Sequence, residues 1–291
     1  VGADLSANEL QRRSSVFPAE YPHDQSLFGA CPMTHPGKLI VVGCGIQLGR
    51  HLTERAISEV EAADAVFGLA DAFAMHWLLS LRPDTVQLGC YYGDAKDRRD
   101  SYREMEQAML ESVRDGKRVC AVFYGHPGVF SQVPHAAIAA ARAEGFEARM
   151  EPGISAEACL YADLGLDPGE SGVQSIEATQ FLVQQRQLDP ACLVLLWQVA
   201  LAGNIDCIGF EPDPSRLQLL VDKLARWYPQ DHEVLLYEAA QLPIEDFRAE
   251  CLPLAKLPRA RYKEYTTLVI PPAGPAERDP QTWNRLRAMQ R

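Results

Sequence analysis

The chain has 291 residues, 47% of them hydrophobic, and a formal net charge of −11. That length buries most of its unfolded surface and suggests one large domain or two smaller ones. The acidic excess speaks against a nucleic-acid partner, whose phosphates favour a basic surface. No apolar run reaches the roughly 18 residues of a membrane helix, and the first residues, VGADLSANELQRRSSVF, lack the apolar core of a signal peptide, so a cytoplasmic location is expected.

Residues 1–37 are polar, contain prolines and show no helical or strand period, and read as a poorly ordered tail; Met33 would make a natural start. From Lys38 the texture changes. KLIVVG is a short apolar run ending in glycine and reads as a buried parallel strand. HLTERAISEVEAAD is amphipathic and helical, AVFGL a strand, DAFAMHWLLSL a helix and TVQL a strand. DRRDSYREMEQAMLESVRDG predicts a long helix closed by Gly116. RVCAVFYG is a strand, PHAAIAAARAEG a helix ended by Gly145 and EARME a strand. This alternation predicts an α/β domain with a parallel sheet over residues 38–169.

Beyond it the chain becomes richer in strands. VQSIEATQF, CLVLLWQVA, HEVLLYEA, AECLPLAKL and YTTLVIPP read as strands, with SRLQLLVDKLARWYP the clearest helix among them. This predicts a second, mixed α/β domain over residues 170–272. Residues 273–291 read as a polar tail ending in a short helix. The eight cysteines are scattered without a C-x-x-C pair, and the pattern is that of buried thiols in a reducing compartment. The histidines show no H-x-x-x-H or H-E-x-x-H spacing, so no metal site is expected.

Three stretches could carry chemistry. Gly43, Gly45 and Gly49 form G-x-G-x-x-x-G after the first strand, with the third glycine one place late for the dinucleotide fingerprint. With Asp71 as a ribose-binding acid, a nicotinamide oxidoreductase is one reading; a tight strand-to-helix turn is the other. FYGHPGVF follows a strand and so sits at the carboxyl end of the sheet, where α/β folds place ligands. EPGISAEACLYADLG repeats the arrangement, with Ser155 as N-cap. The third stretch is YYGDAKDRRDSY. On a helix, Arg98, Tyr102, Met105, Met109 and Val113 share one face. Alone, this reads as a snorkelling arginine beside a core-edge tyrosine.

GHPGVF, PGISAEACLYADLGLDP and LLWQVA, with VVGCG before and TTLVIPP after, resemble the tetrapyrrole methylase superfamily, and YYGDAKDRRDSY resembles its borosin peptide α-N-methyltransferases. The resemblance covers roughly residues 38–272. It implies a two-domain α/β fold, an N-terminal parallel-sheet domain plus a C-terminal mixed domain, with S-adenosylmethionine bound between them and S-adenosylhomocysteine as product. It implies catalytic roles for Tyr92, Arg98 and Tyr102, and donor contacts from Tyr124, His126, Val129, Ser155, Ala156, Gln198, Ala239, Thr266 and Thr267. It also implies a homodimer. The chain departs from fungal members at Gly89, where they carry a further tyrosine. Because it stops soon after LVIPP, it looks like a bacterial split enzyme, two copies of which act on two separate precursor peptides. A tetrapyrrole C-methyltransferase is the alternative within the superfamily, and would need more basic groups for a macrocycle rich in carboxylates. A catalytically silent peptide-binding scaffold is a third reading, against which the intact Tyr92, Arg98 and Tyr102 speak.

Overall fold

The computed structural model describes residues 37–290, and the tail expected at 1–37 lies outside them except for its last residue. Two compact units form. The first holds residues 37–44 together with Thr53–Gly153, the second Gly45–Leu52 with residues 154–290. The boundary expected at 169 therefore falls inside the second unit. The reason is packing: Leu160 is fully buried in a cluster with Leu193, Leu195, Trp197 and Val269, so the helix that carries it belongs with those later strands.

The first unit runs β1 (Lys38–Gly43), α1 (Glu54–Glu61), β2 (Ala65–Leu69), α2 (Ala72–Leu81), β3 (Val86–Gln87), a 3-10 turn (Leu88–Tyr91), α3 (Arg98–Arg114), β4 (Arg118–Phe123), α4 (Gln132–Ala143) and β5 (Glu147–Glu151). The sheet order is β3-β2-β4-β1-β5, and every neighbouring pair is parallel. The central strands β1 and β4 are buried from their second residue onward, as continuous apolar runs require. Helix α3 lays its expected stripe, Met105, Met109 and Val113, against Leu39, Val41, Val119 and Ala121. Its N-terminus is capped by Asp97, which accepts from the Arg99 N–H at 2.8 Å, and Gly116, at φ 81°, turns the chain beyond its far end. The carboxylate of Glu59, 1% exposed, pairs with Arg55, Arg118 and Arg149 and so ties α1 to β4 and β5.

The second unit contains α5 (Ala156–Leu164), α6 (Pro168–Ser171), β6 (Val173–Glu177), α7 (Ala178–Val183), β7 (Leu193–Trp197), α8 (Pro214–Leu224), β8 (Glu233–Glu238), β9 (Arg248–Pro253), β10 (Thr267–Ile270) and α9 (Pro280–Met289). Its sheet order is β6-β7-β10-β8-β9, with β6–β7 parallel and the remaining pairs antiparallel. Leu217, Leu220, Val221 and Leu224 of α8 form the apolar stripe that fills this unit's core.

Two expected strands are cut short. VQSIEATQF ends as a strand at Glu177, whose carboxylate accepts from the Thr179 and Gln180 N–H groups at 3.0 and 2.7 Å and starts α7. AECLPLAKL ends at Pro253, after which Leu254–Arg259 forms a 3-10 helix that buries Leu254 and Leu257. Cysteine burial is also mixed. Burial pushes the Cys44 and Cys120 thiols up to about 12, whereas Cys90 and Cys251 are exposed; Cys31 lies outside the described residues.

Candidate active site

At the carboxyl edge of the first sheet the chain backbones meet without side chains between them. A Cβ on Gly43 would stand 2.3 Å from the Gly125 carbonyl oxygen, and one on Gly153 would also stand 2.3 Å from it. Gly43 follows β1, Gly125 follows β4 and Gly153 follows β5, so three strand ends are locked backbone to backbone. This fixes the turn that carries Tyr124, His126 and Val129. The Tyr124 N–H donates to the Leu69 carbonyl at 3.0 Å, and the Val129 N–H to the His126 carbonyl at 3.1 Å. His126 Nδ1 accepts the Gly128 N–H at 2.9 Å, and His135 Nε2 bonds the Gly128 carbonyl at 3.0 Å. The turn is thus held from inside, with the half-buried Tyr124 and His126 side chains projecting from a rigid base.

Tyr92, Arg98 and Tyr102 come together at the start of α3. The Tyr92 and Tyr102 rings meet edge to face, 6.3 Å between centroids and 79° between planes. Both pack on the core cluster that contains Phe123, the residue before Tyr124. Burial pushes the Tyr92 phenol well above the ordinary tyrosine range; Tyr102 adds to the rise through its charge and a hydrogen bond, and the Arg98 guanidinium pulls the other way. Tyr92 therefore keeps its proton near neutral pH and shares it with Tyr102.

In the second unit, Ser155 caps α5, its Oγ accepting the Ala158 N–H at 3.1 Å, and Ala156 opens the helix. Gln198 follows β7 and Ala239 follows β8, while Thr266 and Thr267 enter β10, which runs antiparallel to both; the four share one edge of the sheet. The Val199 N–H donates to the Thr266 carbonyl at 3.2 Å. Ala156 and Ala239 pack on one cluster, around Leu160, Trp197 and Tyr237. Gln198 adopts φ 54°, ψ 40°, a left-handed conformation that non-glycine residues rarely hold without a reason. Thr266 Oγ1 donates to the buried Glu238 carboxylate at 2.7 Å, and Arg248 and Lys263 neutralise that carboxylate.

The G-x-G-x-x-x-G loop is not a phosphate cradle. The backbone N–H groups of Ile46 and Gln47 donate to His51 Nδ1 at 3.2 and 3.1 Å, so the donors a pyrophosphate would need are already used. Asp71 Oδ1 accepts the Phe73 and Ala74 N–H groups and serves as the N-cap of α2. Residues 38–250 match the family described as Tetrapyrrole (Corrin/Porphyrin) Methylases. The chain belongs to the tetrapyrrole methylase family. The chain is 43% identical over 214 residues to a methyltransferase/ribosomally synthesized cyclic peptide dendrothelin A precursor of Dendrothele bispora, covering 73% of this chain and 51% of that protein. It is 37% identical over 257 residues to a methyltransferase/ribosomally synthesized type I borosin cyclic peptide precursor of Mycena rosella, covering 86% and 64%. This chain therefore spans about half to two-thirds of the length of these relatives. Among solved structures, the uroporphyrin-III-C-methyltransferase of Thermus thermophilus superposes with a TM-score of 0.57 at 20% identity, over 81% of this chain and 93% of that one, a likeness of fold.

The residues that support the candidate site carry no local signal in the sequence. Glu238 holds Thr266 from 28 positions away, a pairing that only the β8–β10 register creates. Ser101 and Lys96 both donate to the Tyr91 carbonyl beside the phenol pair. Ser101 carries no mark in the sequence, since its acceptor lies in another segment.

Proposed function

We propose that this methylase uses S-adenosylmethionine to methylate backbone amide nitrogens of a ribosomally made peptide. The observation that carries the reading is the Tyr92–Tyr102 pair under Arg98, on a chain similar to fungal methyltransferase/peptide-precursor proteins. The donor residues fit the cofactor chemically. Tyr124, His126, Val129, Ser155, Ala156, Gln198, Ala239, Thr266 and Thr267 offer aromatic, hydroxyl, amide and backbone groups and no lysine or arginine, a set suited to a nucleoside bearing a sulfonium and ill suited to a polyphosphate. When bound, S-adenosylmethionine supplies an electrophilic methyl group and leaves as S-adenosylhomocysteine.

An amide nitrogen shares its lone pair with the carbonyl, the resonance behind a rotation barrier of about 18–20 kcal/mol. It becomes nucleophilic as its proton leaves and the carbonyl oxygen gains charge. Arg98 donates to that developing imidate oxygen. Tyr102 acts as the phenolate, favoured by the neighbouring Arg98 charge; it accepts the amide proton and becomes the neutral phenol, and Tyr92, held protonated by burial, donates its hydrogen bond to the Tyr102 oxygen and steadies the negative charge there before the transfer. Holding the amide in contact geometry completes the chain's contribution. The same reading makes the working unit a cytoplasmic homodimer engaging two precursor chains, each separate from the enzyme; in the fungal relatives the printed names join methyltransferase and precursor.

The test is calorimetry with S-adenosylhomocysteine and with NAD, followed by intact mass spectrometry of the chain and of candidate peptides incubated with S-adenosylmethionine. Binding of S-adenosylhomocysteine alone and mass steps of one methyl on a peptide are expected. No binding of S-adenosylhomocysteine, or methylation of a tetrapyrrole instead of a peptide, would overturn the reading. Methyls appearing on the enzyme chain itself would overturn the separate precursor only.

A further inference from the structure

The two phenols meet because of a register between the 3-10 turn at Leu88–Tyr91 and the first turns of α3. Ser101 is 1% exposed, and its Oγ donates to the Tyr91 carbonyl at 2.9 Å. One residue further along both segments, the Tyr92 ring meets the Tyr102 ring. The pairs Tyr91–Ser101 and Tyr92–Tyr102 are thus consecutive rungs of one contact. Lys96 adds a second tie: its Nζ donates to the same Tyr91 carbonyl at 2.8 Å and to Glu104 at 2.7 Å. The Tyr91 carbonyl ends a 3-10 turn, where a carbonyl has no partner within the helix, and two donors from the α3 region hold it.

Nothing in packing alone requires this. A serine inside a helix ordinarily returns its hydroxyl to its own helix or to water. Here it is buried on the side of α3 that also buries Met105 and Met109, and it reaches across to another segment. Lys96 is delivered by a turn in which Ala95 takes φ 57°, a left-handed conformation costly for a residue with a Cβ. A buried donor and a charge-assisted donor converge on one carbonyl, and the residue carrying that carbonyl directly precedes Tyr92, whose ring meets Tyr102.

We propose that Ser101, with Lys96 as its second support, is a positioning residue that sets the Tyr92–Tyr102 register through the Tyr91 carbonyl. The inference rests on the proposed roles of Tyr92 and Tyr102. Loss of the Ser101 hydroxyl lets the Tyr91–Tyr92 segment shift against α3, and displacements of about 1 Å near reacting groups cost on the order of 10²-fold in rate.

The experiment uses the full chain and the variants Ser101→Ala, Ser101→Thr, Lys96→Met and Tyr92→Phe. Steady-state methylation of the peptide is paired with NMR of ring-labelled tyrosines, in which the Tyr92–Tyr102 contact gives a cross-peak. Ser101→Ala should lower kcat by roughly 10- to 100-fold, leave KM for the peptide within about twofold, and weaken the cross-peak. Ser101→Thr, which keeps the hydroxyl, should restore both, and Lys96→Met should show the same pattern more weakly. Unchanged kcat together with an unchanged cross-peak in Ser101→Ala would overturn the proposal, as would a loss confined to KM. Full activity in Tyr92→Phe would instead overturn the catalytic role of the pair, while the cross-peak in Ser101→Ala would still report whether Ser101 sets the register.

Discussion

Gly153→Ala should be among the most damaging single-methyl additions in the first unit. The added Cβ would stand 2.3 Å from the Gly125 carbonyl oxygen and 2.9 Å from Gly43 Cα. These are main-chain atoms at the ends of β4 and β1, the two central strands, so no flexible side chain can move aside. Gly153 does not need a positive φ, and the cost is steric alone. Overpacking of a well-filled region costs about 1–3 kcal/mol, and contact with main-chain atoms on two sides puts this change at the upper end. About 3 kcal/mol corresponds to a fall in Tm of roughly 6–12 °C for a protein of this size class. Gly165→Ala is the matched control. Gly165 closes α5 at φ 64° with nothing within 4 Å of its missing Cβ, so it pays the left-handed penalty of roughly 1–2 kcal/mol alone. Differential scanning calorimetry of both variants, with S-adenosylhomocysteine titrated into each, gives the comparison. Because Gly125 sits between Tyr124 and His126 in that turn, Gly153→Ala should also weaken binding of that nucleoside. A Gly153→Ala protein as stable as the wild type, or less affected than Gly165→Ala, would refute the backbone lock.

Two further outcomes follow from the strained and titratable positions. Gln198→Gly should stabilise the second unit by about 1 kcal/mol, since glycine holds φ 54° without penalty, and should weaken nucleoside binding, a trade expected where strain sits at a functional position; denaturant unfolding and calorimetry read the two effects. His51 has its pKa lowered, first by burial and then by Arg50, against the opposing pull of Asp163. The unfolded chain therefore takes up the proton first, so His51's contribution is full above about pH 6.5 and is lost as pH falls through its lower folded value, with the Ile46 and Gln47 hydrogen bonds lost too. In His51→Asn, whose amide oxygen accepts without titrating, the slope of Tm between pH 7.5 and 5 should be shallower than in the wild type.

Much of the first unit was legible because its signals are local. Apolar runs such as KLIVVG and RVCAVF match buried parallel strands, and the 3.6-residue stripe of α3 placed Met105, Met109 and Val113 in the core, where the structure has them, with Tyr102 half-buried against it. The second unit hid more. Glu177 is not among the preferred N-cap residues, so the strand-to-helix switch at VQSIEATQF carried no sequence mark. Gln198 leaves β7 in a conformation usually marked by glycine. Leu160 looked like part of the first domain because its neighbours in the chain are there, while its packing partners lie more than thirty residues on. The candidate site followed the same division. The turn at FYGHPGVF and the cap at Ser155 were readable in place. The Glu238–Thr266 bond and the Ser101–Tyr91 bond depend on registers that no window of sequence displays.

The central claim is that a phenolate beside Arg98 takes the proton of a backbone amide. Tyr102→Phe removes one hydroxyl and keeps the ring that packs on the core. Single-turnover methylation at saturating S-adenosylmethionine and peptide, with tandem mass spectrometry locating the methyl groups, measures the step directly. The wild type should place methyls on backbone nitrogens, and Tyr102→Phe should do so roughly 10²–10⁴ times more slowly with nucleoside affinity unchanged. Equal single-turnover rates, or methyl groups found on side chains, would contradict it.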